Sequence, residues 1–495
     1  MTGQSPLWVG VDVGTQSVKV SVVDDEGTVV GSSSSPLSSF RDHGWHEQRP
    51  EDWIAGTRVA MAGALATVDE SRRSSIGGLA ICATSGTIAA VDLAGRPVSP
   101  GIMYDDARAA ELTGEVAAAG EALWRRLGYR IQPTWALPKI VWALRQKLLS
   151  IDHAIAHQAD VVASAMIGTR VATDWSHALK SGYDTIGLDW PSAALDALGV
   201  DARRLPEVVA PGTPLGRTSQ SWAAATGVPA GTTVYAGMTD GCAAQLGAAA
   251  FGLGDWHSVI GTTLVVKGVS QNMVTDASGA VYSHRAPHDD LWLPGGASSA
   301  GAGVLNRVLP GADLEALTRT LSELAPGGLP LAYPLSTTGE RFPVVRPDAE
   351  GFIVADGRES PLTADAAASP GVLLGSVLLG VALVERLSVE TMAAAGVPVD
   401  GRFSSSGGGT RNPWWNQLRA DLLGRPLVIP ASAEGSVGMA ILAAWAAGDD
   451  RLPDVAVRMS RAAAVIEPND ARRDELDETY GRFRDILSTK GWIGA

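Results

Sequence analysis

Two aspartates stand where a strand meets a glycine turn, and this placement makes both candidates for chemistry. Asp12 interrupts the apolar run VGVDVGTQSVKV just before a Gly-Thr-Gln-Ser turn, where a buried hairpin requires no carboxylate. Asp240, in the sequence MTDG, follows a short apolar strand and precedes an alanine-rich helical stretch. An Asp at a helix start is commonly a cap. The same position keeps it ionised, and it can then accept a proton late in a phosphoryl transfer. Both roles stay open for Asp240.

A second glycine turn resembles the first. The sequence GDWHSVIGTTLVVKGVS aligns with VGVDVGTQSVKVSVV when Gly14-Thr15 is matched to Gly261-Thr262. The N–H groups and hydroxyls of such turns can hold phosphate oxygens without a strongly basic protein. Each turn alone is more typical of an ordinary hairpin than of a phosphate site. Val259 stands in the place of Asp12, so only one copy carries the carboxylate.

Three further segments carry candidate binding groups. Ser85-Gly86, in ATSGT, follows a strand where a substrate pocket can form. In MYDDAR, Asp106 and Arg108 offer a carboxylate and a guanidinium, or only a surface ion pair. The glycine-rich loop Gly407–Thr410 would let an adenine ring lie against backbone, or would simply be a flexible helix entry. No P-loop sequence and no G-x-G-x-x-G after a strand is present in the chain.

The composition limits the class of protein. A chain of 495 residues exceeds the usual size of one core, so two domains are expected. The formal net charge of −14 argues against general binding to nucleic acid or an anionic membrane, but it allows a small anionic ligand. Cys82 and Cys242 stand alone, which argues against disulfides and structural zinc and favours a reducing cytoplasm. The first residues, MTGQSP, lead us to expect no signal peptide.

Alternating strands and helices are expected to position these residues. The predicted strands are LWVGVDV, SVKVSVVD, IGGLAICA, AAVD and VYAG, with a further hairpin in Gly254–Ser270. The predicted helices are Pro50–Val68, the stretch around Leu137–Leu148, Cys242–Ala250, Gly371–Leu387, Glu434–Gly448 and the charged tail from Pro468. The serine-rich stretch Ser32–Ser39 is expected to be a loop, and Gly371–Leu387 is expected to be a buried helix rather than a membrane span. Each half is therefore predicted to be a mixed α/β layer structure, and a true repeat would make the fold a duplication facing a cleft.

The order and spacing of these motifs resemble the FGGY family of carbohydrate kinases, within the superfamily of actin, hexokinase and heat-shock-chaperone ATPases. The resemblance covers nearly the whole chain through VGVDVGTQSVK, WHEQRPEDW, MYDDAR, PKIVW, AGMTDG, IGTT, GERFPVVRPDAEGF, SSSGGGTRNPWWNQLRADLLG and EGSVGMAILAA. It implies two ribonuclease-H-like α/β domains of the actin-like ATPase fold, with a catalytic cleft between them. Residues 1–250 would form the sugar-binding domain with the first phosphate motif. Residues 251–495 would form the ATP-binding domain.

The resemblance also implies roles for particular residues. Asp240 matches the catalytic base of the family, and Asp12, Ser85, Asp106 and Arg108 would join it in binding the sugar. ATP would be held by a larger set, namely Gly14, Thr15, Gln16, Gly261, Thr262, Thr263, Gly408, Gly409 and Asn412. Asp12 and Asp240 would organise Mg²⁺. The implied reaction is transfer of the ATP γ-phosphoryl group to a primary hydroxyl of a sugar.

The implied substrate depends on departures from the family pattern. Glycerol kinases have Arg-Glu and xylulokinases typically Met-His where this chain has Ser85-Gly86. Together with TDWSHALKSGYD and GGASSAGAG, ATSGT is closer to the D-ribulose kinases, which predicts conversion of D-ribulose to D-ribulose 5-phosphate. Xylulokinase, another FGGY polyol or sugar kinase, and a non-catalytic actin-like nucleotide- or sugar-binding protein are the alternatives. The implied partners are sugar and ATP in the cytoplasm, with a possible homodimer and neither nucleic acid nor membrane.

Overall fold

The computed structural model describes residues 5–150, 152–276 and 278–494. The chain divides into two compact units. The first unit comprises Met1–Phe251, His284–Leu291 and Ser432–Arg461. The second unit comprises Gly252–Ser283, Trp292–Ala431 and Ala462–Ala495. The predicted boundary after residue 250 lies next to the end of the first segment of the first unit. It does not assign the later segments 284–291 and 432–461 to that unit, with which they pack.

The strands begin and end as follows: β1 (Leu7–Val13), β2 (Ser17–Asp24), β3 (Val29–Pro36), β4 (Phe40–Asp42), β5 (Trp45–Gln48), β6 (Ile76–Ala83), β7 (Ile88–Val91), β8 (Gly101–Ile102), β9 (Ala154–His157), β10 (Thr173–Asp174), β11 (Val208–Val209), β12 (Pro214–Arg217), β13 (Thr233–Tyr235), β14 (Trp256–Ile260), β15 (Leu264–Gly268), β16 (Tyr282–Arg285), β17 (Trp292–Ser298), β18 (Leu331–Tyr333), β19 (Phe352–Ala355), β20 (Arg358–Pro361), β21 (Phe403–Ser406), β22 (Leu427–Pro430) and β23 (Ala462–Ile466).

The α-helices are α1 (Pro50–Ala66), α2 (Glu70–Arg73), α3 (Thr113–Ala119), α4 (Glu121–Leu127), α5 (Ala136–Arg145), α6 (Gln158–Ile167), α7 (Trp175–Ala178), α8 (Ser192–Ala197), α9 (Gln220–Thr226), α10 (Asp240–Gly247), α11 (Leu305–Val308), α12 (Leu314–Thr320), α13 (Pro370–Ala394), α14 (Pro413–Leu423), α15 (Gly435–Ala446), α16 (Leu452–Met459) and α17 (Arg473–Thr489). Short 3₁₀ helices include Leu179–Ser181 and Gly408–Arg411.

The main sheet of the first unit begins with the predicted hairpin. β1 pairs antiparallel with β2 through the Gly14–Gln16 turn, and β2 pairs antiparallel with β3. On the other side of β1 comes β6, parallel to β1, then β13, parallel to β6, and then β12, which is antiparallel to β13. The order is β3-β2-β1-β6-β13-β12. Buried Val, Leu and Ile side chains on both faces of β1 and β6 make these the central strands.

The main sheet of the second unit repeats this plan. β17, β15 and β14 form an antiparallel meander, followed by the parallel strands β21 and β22 and the antiparallel strand β23. Read from β17 to β23, the succession of strand directions is the same as from β3 to β12. The Gly261–Thr263 turn lies between β14 and β15, at the place that Gly14–Gln16 occupies between β1 and β2. The duplication that one short sequence match suggested therefore has a counterpart in the topology of both sheets.

The longest apolar helix lies in the core of the second unit. Ser369 caps the N-terminus of α13 by accepting a hydrogen bond from the Val372 amide, and Pro370 occupies its first turn. By length and composition α13 is apolar enough to cross a membrane, but 89% of its most apolar window is buried within the protein. Burial around the whole circumference is typical of a core helix, which confirms the sequence-based interpretation.

Two expectations about local structure were wrong. The serine-rich stretch predicted to be a loop is mostly β3, because Ser32–Ser35 pair with residues 18–21 of β2 while α1 packs on the same strand. Helix α5 ends at Arg145, so Leu148 lies outside it and is exposed, although it fits the helical spacing. In the first case tertiary packing outweighs the local pattern, and in the second the helix ends before the pattern does.

Candidate active site

Asp12 lies at the centre of the first sheet, near the carboxyl end of β1. In the sheet register it stands opposite Lys19 of β2 on one side and Cys82 of β6 on the other. Burial and the negative charge of Asp240 raise the pKa of Asp12 to about 7, although a hydrogen bond with the Cys82 thiol and the charge of Lys19 act in the opposite direction. The carboxylate is therefore placed where an additional positive charge would stabilise its ionised form.

The start of α15 closes the wall beside Asp12. A Cβ atom on Gly435, the first residue of α15, would lie 2.9 Å from Asp12 Oδ2 and 2.8 Å from Cys82 Sγ, so any larger residue there would displace these side chains. Glu434 precedes it and forms an ion pair with Lys19, with 3.1 Å between Oε1 and Nζ. The motif EGSVGMAILAA therefore lies beside Asp12, although the motif is near the carboxyl end of the chain and Asp12 is near its amino end.

Asp240 is the first residue of α10 and is exposed. The N-cap position belongs to Thr239, and the Asp240 carboxylate accepts a hydrogen bond from the Gly241 amide at 2.7 Å. The simple alternative, in which Asp240 is the N-cap residue, does not describe this helix. One carboxylate oxygen is held by the backbone, while the side chain as a whole remains accessible.

The negative charge of Asp240 affects the pKa values of several groups of the first unit. It raises the pKa of Asp12, as described above, and it opposes the effect of burial, which lowers the pKa of Lys180. It also contributes to the raised pKa of Tyr104, for which burial is the largest cause. Because these effects act over short distances, Asp12, Asp240, Tyr104 and Lys180 belong to one polar cluster.

The predicted Ser85-Gly86 turn adds two features to this cluster. Within the described part of the chain, the buried Ser85 hydroxyl has no hydrogen-bond partner. Lys180 Nζ donates to the Ser85 carbonyl at 3.2 Å, and the Lys180 side chain packs against Gly86, whose φ of +96° favours glycine. An unpaired buried hydroxyl beside a half-buried ammonium leaves two donors for the oxygens of a ligand.

The first glycine turn is held from three sides. The Gly14 amide donates to the Ser17 carbonyl, which closes the turn. Gln48 Nε2 donates to the Thr15 carbonyl at 2.6 Å, and the Tyr104 hydroxyl is hydrogen-bonded to the Thr15 side chain. Gln16 is exposed, and its carbonyl accepts from the Leu37 amide. The backbone of the turn is thus fixed before any ligand binds.

Asp106 and Arg108 form a buried ion pair. Arg108 donates to both carboxylate oxygens of Asp106 and to Glu47, and its guanidinium lies 3.9 Å from the centroid of the Trp45 ring. Asp106 Oδ2 also accepts from the His46 amide at 2.6 Å. The polar groups of both side chains are engaged by protein partners that join the β4–β5 hairpin to the MYDDAR loop. The two residues form an ion pair, but the expectation that it lies on the surface was wrong, because both side chains are buried. We do not include them in the proposed sugar site.

A buried lysine joins the Ser85 turn to the loop that carries Tyr104. Lys139 Nζ, on α5, donates to the carbonyls of Gly86 and Met103, each at 2.8 Å. Burial lowers the pKa of Lys139 to about 7. Two acceptors can be satisfied by the neutral amine, so this contact holds at either side of that pKa. The motif PKIVW therefore fixes the loop of Ser85 relative to the loop of Tyr104.

The second glycine turn lies in the second unit and is supported by a different segment. Gly301 and Gly303 pack against Thr262, and the amide of Gly303 donates to its carbonyl. That supporting loop is fixed by the buried Glu340, which accepts from the Ser299 amide at 2.7 Å and the Ser298 hydroxyl at 2.8 Å. Thr262 is exposed, and space around Gly261 is open. Thr263 adjoins them, so the turn presents backbone and hydroxyl groups on an ordered base.

The glycine-rich loop of the second unit lies beside this turn. Gly409 packs against Ile260, the residue that precedes Gly261, and Gly408 is exposed. Asn412 is the N-cap of α14: its side chain accepts from the Trp415 amide at 3.0 Å and donates to Thr318 at 2.9 Å. The predicted ATP residues of this unit are thus brought together, with Asn412 holding the loop in place rather than presenting a free amide.

The residues that contribute to these sites and were not predicted include Gln48, Lys139, Lys180 and Glu340. Each lies in a segment with a recognisable sequence, but a single sequence does not show where its side chain points. Lys180 and Lys139 resemble ordinary helix lysines, and Gln48 and Glu340 resemble loop residues. The available signal was their position in WHEQ, PKIVW, TDWSHALKSGYD and GERFP, all of which are segments of the motif series.

Comparisons with known proteins identify the class. The FGGY family of carbohydrate kinases matches over its N-terminal domain at residues 7–247 and over its C-terminal domain at residues 257–447. The chain belongs to this family. It is an ATP-dependent sugar phosphotransferase with the two-domain α/β fold of actin-like ATPases, and its substrates are ATP and a small sugar.

Relatives with different named substrates cover almost the whole chain. Xylulose kinase of Bacillus subtilis (strain 168) is 24% identical over 491 residues, which cover 97% of this chain and 96% of the relative. Gluconokinase of the same strain is 26% identical over 465 residues, which cover 89% and 87%. The crystal structure of xylulose kinase from Rhodospirillum rubrum superposes with a TM-score of 0.85 at 25% identity and covers 98% of each chain.

Proposed function

We propose that this kinase phosphorylates the terminal primary hydroxyl of a ketopentose, and that D-ribulose is its substrate. The observation that carries the proposal is the pair of donors at the Ser85 turn, the unpaired hydroxyl and the Lys180 ammonium, in the same polar cluster as Asp240. Ser85-Gly86 is also smaller than the Met-His pair typical of xylulokinases. D-Xylulose is the second candidate, since named xylulose kinases are among the relatives and the two sugars are epimers.

In the proposed reaction Asp240 is the general base. Its exposed carboxylate accepts the proton of the sugar hydroxyl as that oxygen bonds to the γ-phosphorus and the bond to the β,γ-bridging oxygen breaks. Ionised Asp is a weak base, but it is sufficient where the proton leaves late. Ser85 and Lys180 donate to oxygens at the non-reacting end of the sugar and so orient the hydroxyl.

Asp12 and Asp240 fit the needs of Mg²⁺. They are oxygen donors, and repulsion between them contributes to the raised pKa of Asp12, which a divalent cation would relieve. Among the described residues no cluster of three or more His, Cys, Asp or Glu side chains forms a metal site, which agrees with an ion held mainly through one or two carboxylates and phosphate oxygens. When bound, Mg²⁺ neutralises charge on the phosphates.

The proposed setting is the cytoplasm. Cys82 and Cys242 are both buried and neither is part of a disulfide, as in proteins of a reducing compartment. The homodimer implied by the family resemblance stays a prediction.

The substrate assignment is tested by sugar-dependent ADP release. The purified enzyme is assayed with D-ribulose, D-xylulose, L-ribulose, D-gluconate, glycerol and pentitols under the same conditions. We expect the highest kcat/KM with D-ribulose. In the proposal, Ser85 and Lys180 donate hydrogen bonds to sugar oxygens remote from the reacting hydroxyl, and the orientation of those oxygens decides which sugar binds. A kcat/KM for D-xylulose well above that for D-ribulose would reject the assignment while leaving the kinase activity intact.

Replacing Ser85 or Lys180 by Met should raise the KM for the sugar and leave the KM for ATP unchanged. Either change removes one donor, and at Ser85 it also fills the pocket, so we expect kcat/KM for D-ribulose to fall by roughly 10- to 100-fold. Ser74→Met and Lys147→Met are matched controls, because both residues are exposed. Normal kinetics in both site variants would show that this turn does not contact the sugar.

A further inference from the structure

A buried hydrogen-bond chain supports the turn that carries Asp240. The Thr239 amide, one residue before Asp240, donates to the hydroxyl of Ser176 at 2.9 Å. Ser176 lies on the short helix α7, and its hydroxyl donates to Asp174 Oδ1 at 2.6 Å. Ser176, Thr239 and Asp174 are each at most 2% exposed, so water does not replace these bonds.

The direction of the chain is fixed by its chemistry. An ionised carboxylate only accepts, so the single proton of the Ser176 hydroxyl must point to Asp174, and the oxygen lone pairs of Ser176 are left for the Thr239 amide. Asp174 Oδ1 also accepts from the Ser176 amide at 2.8 Å. Asp174 therefore sets the rotamer and the polarity of the one side chain that holds Thr239 from this side.

His177 keeps the Asp174 carboxylate ionised, so that it accepts hydrogen bonds and donates none. Its Nδ1 donates to Asp174 Oδ2, and both side chains are buried. Burial alone would raise the pKa of Asp174, but the charge of His177 and the hydrogen bonds from His177 and Ser176 hold it below its usual value. Thr239 is also anchored to the sheet, since it forms an isolated bridge with Ala83 at the end of β6.

We propose that Ser176, oriented by Asp174 and His177, is a positioning residue that fixes the Asp240 turn for proton acceptance. This inference rests on the proposed role of Asp240 as the base. Ser176 touches the backbone of the turn and not the carboxylate, so its loss should misplace the base without removing it. A displacement of about 1 Å in a reacting group lowers a rate by as much as about 100-fold.

The test compares Ser176→Ala with Ser181→Ala. Ser181 is a buried serine on the following 3₁₀ helix, and its hydroxyl bonds to His157 Nε2 at 2.9 Å rather than to the Asp240 turn. We expect Ser176→Ala to lower kcat on the order of 10- to 100-fold with unchanged KM for ATP. Amide hydrogen exchange in the peptide containing residues 238–242 should become faster in this variant alone.

The outcomes separate this inference from the proposed function. If Asp240→Asn abolishes turnover while Ser176→Ala leaves kcat and exchange at residues 238–242 as in the wild type, the positioning role is rejected and the base assignment stands. If Asp240→Asn retains turnover, the base assignment fails, and exchange at residues 238–242 still decides whether Ser176 holds the turn. Should Ser176→Ala not fold, the isosteric Asp174→Asn is judged by the same two measurements.

Discussion

Replacing Asp240 by Asn should reduce sugar phosphorylation by several orders of magnitude and leave ATP binding nearly unchanged. The side chain keeps its shape and its contact with the Gly241 amide, but it can no longer accept the proton of the sugar hydroxyl. The loss should therefore be in kcat, measured as sugar-dependent ADP release. The KM for ATP and the binding of a fluorescent ATP analogue should stay within about threefold, because ATP contacts are predicted on the glycine turns.

The matched control for this variant is Asp69→Asn. Asp69 is also an aspartate at a helix start, where it caps α2, but it lies on the surface away from the polar cluster. Its replacement should leave kcat unchanged. Largely intact turnover in Asp240→Asn would show that the assigned base is wrong. Absence of sugar-dependent ADP release in the wild type, together with ATP binding, would instead favour a non-catalytic nucleotide-binding protein.

Replacing Asp12 by Asn should abolish Mg²⁺-dependent turnover and, in the metal-free enzyme, stabilise the fold at alkaline pH. The pKa of Asp12 is raised from 3.8 in the unfolded reference to about 7 in the folded enzyme. A group whose pKa rises on folding stabilises the folded state below its unfolded pKa, and this contribution is lost as the pH rises through the folded value. Above pH 7 the folded enzyme therefore carries a buried charge that the unfolded chain hydrates freely.

The expected size of this effect follows from the pKa difference. At about 1.4 kcal/mol for each tenfold change in proton affinity, it corresponds to at most roughly 4 kcal/mol. In buffer with a chelator we expect the melting temperature of Asp12→Asn to exceed that of the wild type by a few degrees at pH 8 and to match it near pH 4. Asp24→Asn, at the end of β2, should show neither effect, since its carboxylate accepts turn amides. Lower stability of Asp12→Asn at pH 8 would contradict the origin assigned to the raised pKa.

The parts of the fold that were predicted correctly carry strong local signals. β1, β2 and β6 begin and end where their apolar runs do, and Pro50 marks the start of its helix. The serine strand was missed because its stability comes from pairing with β2 and packing under α1, which no local pattern records. The return of 284–291 and 432–461 to the first unit was missed for the same reason, since only contacts distant in sequence reveal it.

The site was predictable where a residue type was unusual for its element. A carboxylate in the apolar strand β1 and an Asp before α10 stood out in the sequence, and the structure places both in one polar cluster. Asp106 and Arg108 were equally conspicuous, but their polar groups satisfy each other inside the protein. Lys180 was inconspicuous, because its relation to Ser85 depends on two segments almost a hundred residues apart.

The central claim is that the enzyme transfers the γ-phosphoryl group of ATP to the terminal primary hydroxyl of D-ribulose. Its most direct test is phosphorus NMR of the product formed by the wild-type enzyme from ATP, Mg²⁺ and D-ribulose. We predict ADP and D-ribulose 5-phosphate in equal amounts, with the ester phosphorus coupled to the two protons of C5 and not to those of C1. ADP with inorganic phosphate alone, or a phosphate ester on a secondary carbon, would contradict the account.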